Sequence, residues 1–139
     1  MTRFVVDAGA VLRLASSDIE VAAEHELLAP TLLRSQALSL LHESVQRGDL
    51  PAREALERLA RIGRMQIRLL GDAVLRRRAW DLAERLGWAS TYDAEYVALT
   101  QLQADAFVTL DEALARRVEG IVTTASIEAL AVTADRRER

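Results

Sequence analysis

Short unbroken apolar runs alternate along this chain with longer stretches in which apolar residues return every third or fourth position, the signature of buried strands and amphipathic helices in turn. Phe4–Asp7 reads as a short buried strand and Ala8–Leu14 as the start of a helix. Leu27–Ala29 is a second apolar run. Pro30 follows it and suits the first turn of a helix, which carries Leu33, Ala37, Leu40, Leu41 and Val45 at helical spacing as far as Arg47. Gly48 supplies the stop. Asp49 and Pro51 open the next helix, with apolar positions Ala55, Leu56, Leu59, Ala60 and Ile62, and Gly63 ends it. Met65–Leu70 alternates weakly and reads as a strand. Asp72 caps a helix through Leu86, closed by Gly87. Thr91–Gln103 is a helix, Ala106–Thr109 a strand, Glu112–Val118 a helix, Ile121–Thr123 a strand and Ser126–Val132 a last helix.

Strands alternating with helices predict an α/β fold with a parallel sheet and right-handed crossovers. With 139 residues, and no repeat, linker or low-complexity stretch, the chain reads as one domain over 1–134, followed by a charged tail over 135–139 that is expected to fray.

Composition narrows the chemistry. Half the residues are hydrophobic and few are aromatic, so the interior is expected to be aliphatic. Cysteine is absent, which removes disulfides, thiolate catalysis and Cys-ligated zinc. His25 and His42 are the only histidines, too few for a histidine-rich metal site. No stretch reaches the ~20 apolar residues of a membrane span, and the N-terminus runs straight into a strand without a signal core. A cytoplasmic protein with no membrane association is therefore expected. Lysine is also absent, so all 18 basic residues are arginine. The net charge of −3 conceals an asymmetry: residues 47–86 hold ten arginines against six acids, a net +4, which leaves −7 on the remainder. A basic middle beside an acidic cleft suits a protein that holds a polyanion, and it equally describes solvated helix faces.

Three aspartates carry the candidate chemistry. Asp7 closes the first strand, Asp111 follows the strand Ala106–Thr109, and Asp93 opens a strongly periodic helix. In an open parallel sheet the carboxyl ends of the strands form the crevice where ligands bind. Carboxylates converging there repel one another unless a cation neutralises them, and hard oxygen donors suit Mg²⁺ or Mn²⁺. Each aspartate also stands where a helix cap is wanted, and Ser90-x-x-Asp93 resembles a capping box. Thr109 shares the strand-end face of Asp111 and either hydrogen-bonds a carboxylate or closes the strand. Tyr92 and Tyr96 read as packing, His42 and Glu43 as solvent-facing, and Arg76–Arg78 as a solvated helix turn. Other phosphate-handling α/β classes lack their signatures. A P-loop and a receiver-type domain both need a lysine, a haloacid-dehalogenase-like site needs an aspartate where Gly9 stands, and no G-x-G-x-x-G occurs.

The pattern that survives resembles the PIN-domain nucleases, and within them the VapC-like toxins of bacterial toxin–antitoxin pairs. VVDAGAVLRL resembles the first acidic motif of that family, LLAPTLLRSQALSLL the second, and TYDAEYVALTQLQADAFVTLDEAL the third and fourth, so the likeness spans nearly the whole chain. The resemblance implies a three-layer fold with a central parallel sheet flanked by helices and an acidic cleft at the C-terminal strand ends. It implies a Mg²⁺- or Mn²⁺-dependent endoribonuclease in which Asp7, Asp93 and Asp111 bind the metal and are catalytic. It also implies an RNA substrate, a VapB-like antitoxin and a homodimer. One position departs: the glutamate usual in the second motif is Gln36, on the stripe of Leu33, Ala37 and Leu40 that should point inward. Gln36, with Thr109, is then a secondary site residue. A neutral amide binds a cation less strongly than a carboxylate, which keeps open a second reading, a PIN-like RNA-binding or regulatory module of weak catalysis.

Overall fold

In the computed structural model, which describes residues 1–132, five parallel strands form one sheet in the order β3-β2-β1-β4-β5. The strands are β1 (Thr2–Val6), β2 (His25–Pro30), β3 (Ile67–Leu70), β4 (Ala106–Val108) and β5 (Thr124–Ala125). Six α-helices flank them: α1 (Ala8–Ser16), α2 (Leu32–Gln46), α3 (Ala52–Arg64), α4 (Ala73–Leu86), α5 (Tyr92–Gln103) and α6 (Glu112–Arg117). The expected α/β architecture is present.

The innermost strands are apolar without alternation because both their faces are covered. Phe4, Val5 and Val6 of β1, Leu27 to Pro30 of β2 and all of β4 are buried. Helix α5 lies against β1, β2 and β4, and contributes Tyr96, Val97, Ala98, Leu99 and Thr100 to the interior. Thr100 is the one buried polar side chain among the described residues, and its hydroxyl is satisfied by donating to the Tyr96 carbonyl. On α2 the buried residues are Leu33, Ala37 and Leu41.

Chain order and space diverge at β1. From there the chain moves outward through β2 to β3, then returns to place β4 on the other side of β1. The strand order thus reverses between β1 and β4, and the crevice outside the carboxyl ends of these two strands is where open α/β sheets bind ligands.

Several sequence expectations are corrected. Pro30 is the last residue of β2 rather than part of a helix, and it tolerates that end because the strand's pairing stops there. Helix α3 passes through Gly63 to Arg64. Leu40 and Leu56, assigned to apolar stripes, are 39% and 65% exposed. The last strand is Thr124–Ala125, not Ile121–Thr123, because Ile121 and Val122 both turn back to bond the Val118 carbonyl. The final helix contracts to a 3₁₀ turn over Ile127–Leu130. The chain there is held instead by a bridge between Val21 and Ala131 and a bond from Ala22 N–H to the Leu130 carbonyl. The expected tail 135–139 and the domain end at 134 lie outside the described residues.

Candidate active site

Asp7 follows the last residue of β1 in extended conformation and caps α1: its Oδ1 accepts from the Ala10 N–H at 2.9 Å. Its Oδ2 accepts from the Thr109 hydroxyl, one residue beyond β4. The same hydroxyl oxygen accepts from the Asp111 N–H at 3.1 Å, while the Asp111 carboxylate caps α6 by accepting from the Leu114 N–H at 3.0 Å. Thr109 therefore joins the two loops that leave the adjacent strands β1 and β4. Of the two readings left open for Thr109, hydrogen-bonding a carboxylate is the one the structure bears out.

Asp93 reaches the same place from α5. It lies in the first turn of that helix but does not cap it: the N-cap residue is Thr91, whose side chain makes no cap bond, and Ser90 Oγ accepts from the Tyr92 N–H at 3.2 Å. The capping-box reading of Ser90 and Asp93 is therefore wrong. The Asp93 carboxylate instead faces Arg117, whose Nη2 is 3.6 Å away. Asp7 and Asp93 line one cleft of about 290 Å³, together with Gln36, Glu43 and Tyr96. Asp111 is exposed and stands outside the lining of that cleft.

The electrostatics reflect this convergence. Burial raises the Asp7 carboxyl above the ordinary aspartate range. The bonds from Thr109 and Ala10 pull it down in part, and the charges of Asp93 and Asp111 push it up further. Burial likewise raises Glu95. The Tyr96 phenol is driven far upward by burial first and then by Asp7, Glu95 and Asp93, so it stays protonated and acts as a donor.

The partner of that phenol is Gln36. Tyr96 OH donates to Gln36 Oε1 at 2.6 Å, so the amide points inward as its helical position required. Tyr96, read from sequence as packing, both packs and positions: its ring lies 6.2 Å from that of Phe107 while its hydroxyl fixes the amide. Glu43 is the residue that sequence reasoning missed. It is exposed, as expected, yet it lines the cleft, because positions seven apart on a helix share a face two turns on. The spacing of Gln36 and Glu43 puts both on one helix face, but only the packing of that face decides that the cleft runs along it. Of the arginine run, Arg77 faces Asp81 and Arg76 donates to the Gly71 carbonyl, both at the surface, as a solvated helix turn would.

The cleft's donors are all oxygen, the set preferred by a hard divalent cation. Among the described residues, no three His, Asp or Glu side chains stand close enough together to share an ion. Mg²⁺ does not require three, since it is commonly bound through one or two carboxylates and keeps several waters. A partly buried carboxyl held above its ordinary range by desolvation and by two neighbouring charges is also a group that a cation would stabilise. The residues present fit such an ion.

No protein-family model and no curated protein sequence matches this chain. Solved structures do. The crystal structure of PAE2754 from Pyrobaculum aerophilum matches with a TM-score of 0.74 at 23% identity, covering 93% of this chain and 92% of that one. The structure of VapBC-1 from nontypeable Haemophilus influenzae matches with a TM-score of 0.62 at 9% identity, covering 90% of this chain and 98% of that one. At such identities the likeness speaks to architecture. With its all-parallel five-stranded sheet, flanking helices and strand reversal between β1 and β4, the chain has a PIN-like fold.

Proposed function

We propose that this chain is a Mg²⁺- or Mn²⁺-dependent endoribonuclease, the toxin of a toxin–antitoxin pair. The observation that carries the reading is the meeting of a partly buried carboxyl, Asp7, with Asp93 in one cleft at the strand reversal of a PIN-like fold. Asp7 and Asp93 would hold the ion, with Asp111 adding negative charge from the rim. When bound, such an ion stabilises charge on phosphodiester oxygens and supplies an acidified water as nucleophile. The chain's own residues set the stage. Ala10 N–H and the Thr109 hydroxyl fix both oxygens of Asp7, and the α1 N-terminus favours its ionised form. Tyr96 holds the Gln36 oxygen at the cleft wall.

The likeness to VapBC-1 supports a VapB-like antitoxin as partner, and the resemblance in sequence supports a homodimer and RNA as substrate. A cytoplasmic site of action is part of this proposal; among the described residues no helix is long and apolar enough to cross a membrane. The test is incubation of purified protein with total RNA and Mn²⁺. Discrete fragments that vanish with chelator and in Asp7→Asn are expected; intact RNA under all conditions would overturn the reading.

A second reading has its own support: Gln36 Oε1 already accepts from Tyr96, and Asp93 already faces Arg117. Both favour an RNA-binding or regulatory module of weak catalysis. In the same experiment that protein retards RNA on a gel without cutting it.

A further inference from the structure

Arg117, at the end of α6, makes two contacts that its position at a helix terminus does not demand. Its guanidinium lies 5.3 Å from the centroid of the Trp88 ring, and its Nη2 lies 3.6 Å from Asp93 Oδ2. Arg116 beside it is exposed and makes neither contact. Trp88 is partly buried against the core, which makes it a fixed platform for a planar cation. The ion pair is longer than a hydrogen bond and about half exposed on both sides, at 49% and 47%. The ring therefore holds the guanidinium in place, and the link to Asp93 is loose enough to exchange.

We propose that Arg117 is an exchangeable counter-ion for Asp93 that competes with the divalent cation and yields when a polyanion enters the cleft. This rests on the reading of Asp7 and Asp93 as a cation site. While the cleft is empty, the guanidinium neutralises Asp93 and lowers the attraction of the site for free metal. A phosphate backbone offers Arg117 a bidentate partner better matched to its fork than a carboxylate 3.6 Å away. Drawing the guanidinium onto phosphate uncovers Asp93, so nucleic acid promotes metal loading. By reciprocity, metal on Asp93 leaves Arg117 free for phosphate. The regulation so built in is substrate-dependent recruitment of the cation.

The experiment is Mn²⁺ calorimetry on the wild type, Arg117→Gln and Arg116→Gln, each with and without a single-stranded oligodeoxynucleotide as the polyanion. An exposed ion pair of this kind corresponds to roughly a two- to fivefold change in affinity. Arg117→Gln should bind Mn²⁺ tighter by about that factor, while Arg116→Gln, which loses the same charge without the contact, should shift by less than about 1.5-fold. The oligonucleotide should tighten Mn²⁺ binding in the wild type and have a smaller effect in Arg117→Gln. Trp88→Phe, which weakens the platform, should fall between wild type and Arg117→Gln. Equal shifts in the two arginine variants, or an oligonucleotide effect undiminished in Arg117→Gln, would sink the counter-ion role while leaving the cation site standing. Folded proteins that bind no Mn²⁺ in any form would remove the cation site itself, and this role with it.

Discussion

Two crossovers of this molecule are locally alike and chemically different. At the end of central strand β1, Asp7 adopts φ −86° and ψ 175° and caps α1 through the Ala10 N–H at 2.9 Å. At the end of edge strand β3, Asp72 adopts φ −84° and ψ 179° and caps α4 through the Leu75 N–H, also at 2.9 Å. The surroundings then part. Asp7 has β4 beside it, receives the Thr109 hydroxyl and lies under the charges of Asp93 and Asp111. Asp72 is exposed, and the helical turn that follows it points Arg76 at the Gly71 carbonyl. The cap is a property of three or four residues, whereas the site is a property of where the strand sits in the sheet. Capping and the proposed function are not rival explanations of Asp7, because the cap at Ala10 N–H leaves the carboxylate at the cleft.

A paired substitution separates the two crossovers most strongly. Asn caps a helix about as well as Asp, so both Asp7→Asn and Asp72→Asn should fold. Losing a ligand carboxylate should cost Asp7→Asn at least about 100-fold in Mn²⁺-dependent RNA cleavage, while Asp72→Asn stays within about twofold of wild type. Equal activities would mean that the two crossovers are alike in chemistry as well as in geometry.

Gln36 probes the same difference from the cleft side. Gln36→Glu keeps an acceptor for Tyr96 and adds a charge beside Asp7, so Mg²⁺ binding should tighten by roughly ten- to thirtyfold, by analogy with other ligand changes. Titration calorimetry with Mg²⁺ reads this directly. Unchanged affinity would mark Gln36 as a structural amide whose oxygen is fully engaged by the phenol.

The smallest effects are in stability. Asp72→Ala should cost about 1 kcal/mol in urea unfolding through its lost cap. Asp7→Ala loses a cap as well but also relieves a partly desolvated charge, so its net cost should be smaller. The pH dependence separates the two contributions. The folded-state value of Asp7 lies above its ordinary 3.8, so the native state holds that proton more tightly than the unfolded chain does. As pH rises from 3.8 through the raised value, the metal-free protein loses stability on account of Asp7. Asp7→Asn removes that part of the profile. A urea-midpoint series across this range should therefore show the variant at or above wild type at neutral pH, with the two curves converging toward the acid end.

What could be read in the sequence followed the range of the interactions. Strand β1, its terminal Asp7 and the cap at Asp72 are encoded within a few neighbours, and they appeared where the apolar runs and turn residues put them. Asp93 was legible as a helix opener, but its release from capping depends on Thr91 taking the N-cap position, a one-residue shift that no pattern specifies. The bond between Tyr96 and Gln36 spans 60 positions, and the place of Glu43 at the cleft follows only once α2 is laid beside α5. Strand β5 was misplaced because two residues of backbone pairing against β4 decide it, and the apolar pair Ile121 and Val122 gave a stronger local signal than Thr124 and Ala125.

The bridge from Thr109 to Asp7 also bears on how the protein is made. The two residues lie 102 positions apart, and their contact requires β4 to have docked on β1. Asp7 is synthesised long before its partner, but its carboxylate cannot be seated, nor Asp111 placed beside it, until β4 and the loop after it have been made and have docked on β1. Pairing of such distant segments is slow compared with local helix formation. The order of synthesis thus sets an interval in which the first strand and helix already exist while the cleft at their end does not.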